Sequence, residues 1–343
     1  MLKIYALSVI CMIALFPTYA QKPPFKFGDV SMNELTMNRY DKDSSASAVI
    51  LGDFGETAIR YNQSKGFQLF FERTKRIKIL TKEGLGEANE HILLYHQTSG
   101  EEDISGLKSV TYNLENGNIV ESKSSSDNIF REKYDDNRNV VKLIPPNVKK
   151  GSVVEITYLI KSDFLFNLQD WEFQSTIPIA WSEYRVWIPE FFRYDKYMQG
   201  YIKLDVSQTE PGSDGTGFRW VAQHVPAFKE EPFITTPKDY ISKINFELAL
   251  INHPDRPIEA VMGSWEKMAD NFYKSEGFGG AIRGNGFLKK IVEEITTGLN
   301  SEEDKIKAIY TYVKDHVHWN QTTSLFLRLF SLRHPLTPSN LLS

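Results

Sequence analysis

The single cysteine of the sequence, Cys11, restricts how this chain can stabilise a fold. Cys11 lies in an apolar run, residues 4–16, that follows the positive charge of Lys3 and precedes the small residue Ala20. This order is typical of a secretory signal peptide, and we expect cleavage between Ala20 and Gln21. The exported chain would then contain no thiol. Because no disulfide could form, the fold must be stabilised by burial alone.

The length of the same apolar run bears on where the protein resides. Its 13 residues are fewer than the ~20 that a membrane-spanning helix requires, and no other apolar run is long enough. We therefore expect export to the periplasm or cell surface, with no transmembrane segment in the mature chain. Processing as a lipoprotein would require a small residue before Cys11, and Ile10 is a poor fit.

The charge balance excludes one class of partner. The formal net charge is −4, and it becomes −5 once Lys3 is removed with the signal peptide. A nucleic-acid-binding domain would carry a basic surface, so we expect no nucleic-acid partner. The cluster of Lys75, Arg76 and Lys78 is predicted to lie on a solvated strand, as small charge clusters usually do.

Apolar periodicity indicates strands through residues 48–251. Apolar and polar positions alternate most clearly in residues 154–161 and 240–250, as expected of strands with one buried face. Asn116-Gly117 separates two shorter runs and predicts a hairpin, because both residues tolerate positive φ. Residues 207–217 lack this period and are predicted to form a long surface loop. The pattern favours a largely antiparallel, β-sandwich-like domain.

The period changes from 2 to 3.6 beyond the segment HPDRP at residues 253–257, which predicts helices. Apolar faces of helical spacing lie within residues 265–273, 288–299 and 306–317. Ser301 and the acids that follow it form a helix-start signal. A further short helical patch begins at Ser31.

The predicted fold class is therefore α+β, an antiparallel β-sandwich-like domain followed by a short helical subdomain. The predicted organisation is a signal peptide at residues 1–20, the β domain at 21–252, helices at 253–320 and a tail at 321–343. The helices are too few to make a complete domain.

Several clusters could carry chemistry, but their spacing favours structural roles. His316 and His318 would point to nearly opposite sides of a helix. His91 and His96 would lie on opposite faces of a strand, so neither pair could bind one metal ion. A group of glycines lacks the preceding strand and the Gly-Lys-Ser/Thr of a phosphate-binding loop, which favours a connector: Gly277, Gly279, Gly280, Gly284 and Gly286. We predict no catalytic, cofactor-binding or metal-binding residue.

Aromatic and acidic residues allow two interpretations each. Four tryptophans could form a binding surface on which flat ligands such as sugars stack: Trp171, Trp181, Trp187 and Trp220. A core role is favoured because each lies within an alternating strand pattern. Three acidic pairs are predicted on solvated faces, since sequence neighbours do not establish the spatial gap of a catalytic pair: Glu101-Glu102, Asp135-Asp136 and Glu230-Glu231.

Four stretches together resemble one family: PPNVKKGSVVEITYLIKSDFLFNLQDWEFQ, IPIAWSEYRVWIPEFF, VPAFKEEPFITTPKDYISKINFELA and KIKAIYTYVKDHVHWN. They resemble the domain of unknown function 3857, which in bacterial envelope proteins precedes a transglutaminase-like core. The resemblance extends from about residue 27 to residue 320. It implies export, a β-sandwich front domain and a helical lead-in to a papain-like core.

The resemblance stops before the catalytic part of that family. There, a helix similar to residues 305–319 comes just before a helix that carries the cysteine nucleophile, and histidine and aspartate partners follow on strands. Residues 321–343 (QTTSLFLRLFSLRHPLTPSNLLS) resemble neither element. A frameshift, a truncated gene sequence or a short natural protein would each account for this, and the first two are favoured.

Two functions follow from these observations. The first is an exported, non-catalytic envelope protein that binds an unknown protein or polysaccharide ligand. It is favoured because cysteine catalysis needs a thiolate, which the mature chain would not contain. The alternative is a fragment of a transglutaminase-like enzyme or pseudoenzyme. No cofactor is expected in either case.

Overall fold

The computed structural model describes residues 25–135, 137–252, 257–261, 264–275, 278–282 and 286–316. The predicted signal peptide, its cleavage site at Ala20 and Gln21, and the predicted tail at residues 321–343 lie outside the described residues. The predicted domain limits at residues 252 and 320 remain predictions.

Strands dominate the described chain. Their bounds are β1 (Ala48–Asn62), β2 (Gly66–Ile79), β3 (Glu90–Gln97), β4 (Gly100–Glu115), β5 (Asn118–Lys123), β6 (Ile129–Lys133), β7 (Arg138–Leu143), β8 (Val153–Ser162), β9 (Trp171–Glu172), β10 (Ile179–Pro189), β11 (Phe192–Gln199), β12 (Val206–Pro211), β13 (Gly215–Val225), β14 (Lys243–Ile251) and β15 (Glu259–Ala260).

Eleven strands form one large sheet in the order β12-β13-β10-β1-β2-β8-β4-β3-β7-β6, with β5 paired to β4. This sheet is mixed, because β1 and β10 run parallel, with Asp53 opposite Ser182 and Thr57 opposite Val186. The antiparallel prediction was therefore wrong at this pair. The cause is a long connection. Eight strands lie between β1 and β10 in the chain, so no hairpin dictates the direction of β10.

A second sheet has the order β11-β14-β15, and β9 pairs with β14. The predicted strand in residues 240–250 is confirmed as β14, in which Ile244, Phe246 and Leu248 are buried. The predicted strand in residues 154–161 is confirmed as β8. The molecule is thus mostly β, and whether its sheets make a sandwich remains a prediction.

The hairpin predicted at Asn116-Gly117 is confirmed. Glu115 pairs with Asn118 across it, and Asn116 and Gly117 have φ values of 50° and 82°. Two consecutive positive φ angles match the type I′ turn, whose twist suits a two-residue hairpin.

The surface loop predicted at residues 207–217 was wrong, because β12 and β13 form an antiparallel hairpin there. Polar residues can form this hairpin since β12 is an edge strand, open to water along most of its length. Trp187 explains one of its glycines, because a Cβ at Gly212 would come within 2.4 Å of the indole ring.

The helices are α1 (Met32–Thr36), α2 (Trp265–Lys274), α3 (Gly279–Ile282), α4 (Gly286–Thr296) and α5 (Glu302–His316). Both predicted starts are confirmed. The Ser31 hydroxyl accepts a hydrogen bond from the Glu34 N–H at the start of α1, and the Ser301 hydroxyl accepts one from the Asp304 N–H before α5. None of the described helices is long and apolar enough to cross a membrane.

The described chain divides into two compact units. The first contains residues 25–132, 138–190 and 196–247. The second contains residues 133–135, 137 and 191–195 and the described residues from 248 to 316. In the first unit an aromatic cluster is built around Trp171, which stacks on Tyr184 with ring centroids 4.9 Å apart. Gly55 permits this packing, because a Cβ there would lie 2.2 Å from the Trp171 ring.

Candidate functional site: a polar cleft beside aromatic rings

A polar cleft of about 700 Å³ lies beside the tip of the β3–β4 hairpin. Thr98 and Ser99 form the two-residue loop between Gln97 and Gly100, which pair with each other. The cleft is completed by residues far away in sequence. Lys65 comes from the β1–β2 turn, Asn139 from β7 and Asp163 from the end of β8.

Asp163 ties three of these segments together. Its carboxylate accepts hydrogen bonds from Lys65 Nζ at 3.1 Å, from the Gln68 amide and from the Glu101 N–H at 3.4 Å. Burial opposes ionisation of this carboxyl group, but the bonds from Gln68 and Lys65 outweigh it and keep the pKa of Asp163 below its usual value. Asp163 is therefore a charged, fixed wall of the cleft.

Glu102 is the second fixed carboxylate. It is buried, and it accepts hydrogen bonds from the Tyr95 N–H at 2.8 Å and from Asn167 Nδ2 at 2.8 Å. Gly100 lets the hairpin approach, because a Cβ there would lie 2.8 Å from the Asp163 Cβ. By contrast, Glu101 projects into solvent opposite His96.

Three aromatic rings pack together in the two segments that contain the cleft residues His96 and Asp163. Tyr95 precedes His96 and accepts a hydrogen bond from the Gln97 amide, and Phe164 follows Asp163. The Tyr95 and Phe164 ring centroids are 5.0 Å apart, and Phe166 lies 5.5 Å from Phe164 and 6.1 Å from Tyr95. Phe166 is 53% exposed, so it offers a ring face or edge to a ligand.

This arrangement of side chains suits ligand binding better than catalysis. The lining supplies carboxylates, amides, hydroxyls, an imidazole and an ammonium group, which can donate and accept hydrogen bonds. Its two fixed carboxylates, Asp163 and Glu102, are already engaged by protein groups. Among the residues that the structure describes, no group of three His, Cys, Asp or Glu side chains is placed to hold a metal ion.

The basic cluster on β2 was wrongly predicted to be solvated. Arg76 is 2% exposed and Lys78 is fully buried. Arg76 donates to Glu155, with Nη2 2.6 Å from Oε1, and to Glu34, with Nη1 2.7 Å from Oε1. Lys78 donates to the carbonyls of Leu35 and Gly151 at 2.7 and 2.6 Å. These partners compensate the burial of the charges.

The other face of β2 carries a second ionic cluster. Arg73 binds Asp53 through two hydrogen bonds of 2.8 and 2.6 Å, and Lys75 binds Glu90. Burial opposes ionisation of Glu90, but Lys75 and Arg73 overcome it and lower the Glu90 pKa. Two positive and two negative groups balance here, and Arg73 also lies over the Trp171 ring at 5.0 Å. The cluster therefore stabilises the interior, since its charges are already paired.

The tryptophans divide between two environments. Trp171 and Trp220 are 2% and 5% exposed, which confirms the core prediction for these two. Trp181 and Trp187 are half-buried. Trp181 donates to the buried Glu183 at 3.0 Å, and Trp187 lies over the β12–β13 hairpin. None of the four lines the cleft.

The remaining sequence candidates do not assemble into a site. His91 is exposed on β3, His96 lines the cleft, and His316 ends α5, whereas His318 lies outside the described residues. Gly277 and Gly284 also lie outside them. Glu230-Glu231 is exposed as predicted, but Glu102 of the pair Glu101-Glu102 is buried, and Asp136 is outside the described residues.

Sequence reasoning missed the cleft as a unit. Its residues are separated by up to about a hundred positions and only the sheet register brings them together. The signal that could have located part of it is the short spacing between the strands at 90–97 and 100–115. Two polar residues between such strands indicate an exposed hairpin tip.

Comparison with known proteins agrees with part of the sequence resemblance. Residues 70–229 match the family model of DUF3857, described as a domain of unknown function with solved structure. This match confirms the resemblance over those residues. No curated protein matches the sequence.

One of three similar solved structures shares the fold, at low sequence identity. A candidate protease from Parabacteroides distasonis aligns with a TM-score of 0.57 and 12% identity, over 79% of this chain and 50% of that protein. The chain thus spans half the length of that protein. A candidate nutrient-binding protein from Legionella pneumophila aligns over 84% of this chain and 86% of its own, at 9% identity and a TM-score of 0.27. A zinc metallopeptidase from Deinococcus radiodurans aligns over 60% of this chain and 44% of its own, at 10% identity and a TM-score of 0.25. The last two likenesses are too weak to support an argument.

Proposed function

We propose that this chain is an exported, non-catalytic binding module that holds a polysaccharide in the cleft beside the β3–β4 hairpin. The observation that carries the proposal is a cleft lined with hydrogen-bonding side chains, with the exposed ring of Phe166 three residues along the chain from its Asp163. Sugars present hydroxyl groups at their edges and C–H groups on their faces. A saccharide therefore needs polar groups and an aromatic ring side by side.

Phe166 and the residues that line the cleft have different roles in binding. Phe166 supports the face of a sugar ring, while Glu101, His96 and Asn139 hydrogen-bond to its hydroxyls. Asp163 and Glu102 hold the surrounding segments in place through their contacts with Lys65, Gln68 and Asn167. Because these carboxylates are fixed before binding, little conformational entropy of the protein is lost when the ligand binds.

The test is co-sedimentation of the mature chain with insoluble polysaccharides, followed by calorimetry with soluble oligomers of any that bind. Phe166→Ala is expected to weaken binding by at least tenfold, since it removes the stacking ring. Tyr201→Ala is the matched control. Tyr201 is 92% exposed and does not line the cleft, so its loss should leave the affinity unchanged.

Three results would contradict this proposal. If both variants bind a polysaccharide as tightly as the parent chain does, the cleft is not the site. If no polysaccharide is bound while an envelope protein is captured, the ligand class is a protein. Amide-bond cleavage or acyl transfer by the purified chain would contradict the non-catalytic role.

A second candidate function is that of a front module in a transglutaminase-like enzyme or pseudoenzyme. It is supported by the alignment with the candidate protease, of which this chain spans half. The catalytic core would then be encoded beyond codon 320. Reading the genomic DNA there in all three frames tests this directly. If no frame continues into such a core, this candidate fails and the binding module stands alone.

A further inference from the structure

Residues 25–37, called the strap below, pack on one face of the large sheet. α1 is the only helix within the strap and has five residues. A helix of that length is not stable alone in water, so contacts with the sheet must impose its shape. The contacts come from β2, β4 and β8, which are distant in sequence from the strap.

The apolar part of the interface is a small pocket for Leu35. This side chain is 4% exposed and packs against Val110, Tyr112 and Val153, with Phe27 and Val30 at the rim. Two aromatic rings of the strap, Phe25 and Phe27, lie beside cations of the sheet. Phe25 is 4.7 Å from the Arg76 guanidinium and Phe27 is 4.8 Å from Lys108 Nζ.

The polar part recognises a carboxylate. Arg76 donates to Glu34 at 2.7 Å while Glu155 holds the guanidinium from the other side at 2.6 Å. Glu34 also accepts bonds from the Ser31 N–H and hydroxyl at 2.7 and 2.8 Å. One side chain therefore both starts the helix and docks it, so folding and docking of the strap are coupled.

The sheet also recognises the backbone of the strap. Lys78 donates to the Leu35 carbonyl at 2.7 Å, and Arg76 donates to the Lys26 carbonyl at 2.9 Å. In the opposite direction, the Gly28 N–H donates to Glu155 at 2.8 Å. The short helix α1 leaves its last carbonyls without helical partners, and Lys78 satisfies one of them.

From these contacts we propose that the sheet carries a peptide-binding groove, which the strap occupies as an intramolecular ligand. The groove is formed by Arg76, Lys78, Lys108, Val110, Tyr112 and Val153, oriented by Glu155. The partner it fits is a peptide segment with phenylalanines followed by an acidic residue and a leucine, of which the strap is the built-in example. Docking of such a segment in trans requires the strap to leave.

The interface has the features of a recognition site. It combines an anchoring side chain in a pocket, a charge-assisted bond to a carboxylate and donors to the backbone, which are the elements of helix-in-groove recognition. The strap also has a natural limit. Beyond it Tyr40 is buried against Val49 and Leu80, so release of residues 25–37 would leave the chain anchored at Tyr40.

The test uses the full chain and a fluorescein-labelled peptide of residues 25–37. In the double variant Glu34→Ala/Leu35→Ala the strap loses its carboxylate and its anchor, and hydrogen exchange should show faster exchange in residues 25–37 alone. That variant should bind the labelled peptide at least tenfold more tightly than the parent chain, whose groove is filled. A peptide carrying the same two alanines is the matched control and should not bind.

A second measurement leaves the side chains of the strap unchanged. A specific protease site inserted between Asn38 and Arg39, both exposed, allows the strap to be cut after folding, ahead of the Tyr40 anchor. We expect the cut strap to stay bound during gel filtration at high protein concentration and to be displaced by excess free peptide. The proposal is overturned if the cut strap leaves and cannot be rebound, or if the alanine control peptide binds as well as the native one.

Discussion

Arg76, Lys78 and Glu155 lie on neighbouring strands with at most 2% of each residue exposed, whereas Ile306, Tyr310 and Val313 on α5 are 48–69% exposed. The strand region thus buries charged side chains, and the described part of the C-terminal helices leaves apolar ones in water. The difference teaches that side-chain type alone does not decide location. A charged group can be buried where fixed partners replace water, and an apolar group stays exposed where no surface covers it.

The largest expected effect comes from breaking the buried charge pair. Glu155→Leu leaves the Arg76 guanidinium in the interior with only Glu34 as a carboxylate partner. We expect the free energy of unfolding to fall by about 3–5 kcal/mol in urea titrations, because the buried guanidinium loses the fully buried one of its two carboxylate partners. Tyr112 and Gly28 would also lose their acceptor.

The double variant Arg76→Met/Glu155→Leu is the control for that measurement. Replacing both buried charges by apolar groups should recover a large part of the lost stability, since the one carboxylate that loses Arg76, Glu34, is 21% exposed and can be hydrated. Lys307→Ala on α5 breaks an exposed pair with Glu303 and should cost less than about 1 kcal/mol. If the exposed and buried pairs cost the same, the contrast drawn above is wrong.

A smaller effect, about 1–2 kcal/mol, is expected from the ionisation of Lys78. Burial lowers the pKa of Lys78 to about 8, against about 10.4 in an unfolded chain, although Glu34 opposes the shift. Between these pH values the unfolded chain binds more protons than the folded chain does, so unfolding becomes less favourable as pH rises. Relative to Lys78→Met, the free energy of unfolding should therefore increase from pH 8 to 10.5 and stay level below pH 8.

Urea titrations of the parent chain and of Lys78→Met at pH 7, 8, 9 and 10 measure the difference in their free energies of unfolding. Effects of other titrating groups cancel in this comparison. Lys314→Met, at an exposed position of α5, is the matched control and should give a flat difference. A flat result for Lys78 as well would mean that its ammonium group is not destabilised by burial.

The smallest effect is expected on the exposed face of α5. Ile306→Ser should change the free energy of unfolding by less than about 0.5 kcal/mol, because the side chain is already 66% exposed. The half-buried Ile309 is the matched comparison and should cost more when changed to serine. We also expect weak amide-exchange protection in residues 301–316. Strong protection in a monomer would show that another surface covers this face.

Local features were predictable from the sequence because their causes are local. The hairpin at Asn116-Gly117 follows from two residues that tolerate positive φ, and the start of α5 follows from the Ser301 cap. The buried face of β8 follows from the alternation around Tyr158. In each case the deciding interaction joins residues within a few positions of one another.

Other features depend on distant partners and could not be predicted in this way. Arg76 is buried because Glu155, 79 residues later, lies opposite it on β8. The parallel pairing of β1 with β10 joins residues more than a hundred positions apart. The cleft likewise requires Lys65 and Asp163 to meet. Periodicity indicates which face is buried, but it does not say which strand will be the neighbour.

The position of β1 determines where a fragment of this protein should begin if it is to fold. The match to the family model begins at residue 70, within β2, so a fragment designed on that limit would omit β1. Yet β1 lies between β10 and β2, and it alone connects the β12-β13-β10 half of the large sheet to the rest. Such a fragment would expose two unpaired edges and invite aggregation. A productive fragment has to include β1 and therefore to begin before Ala48.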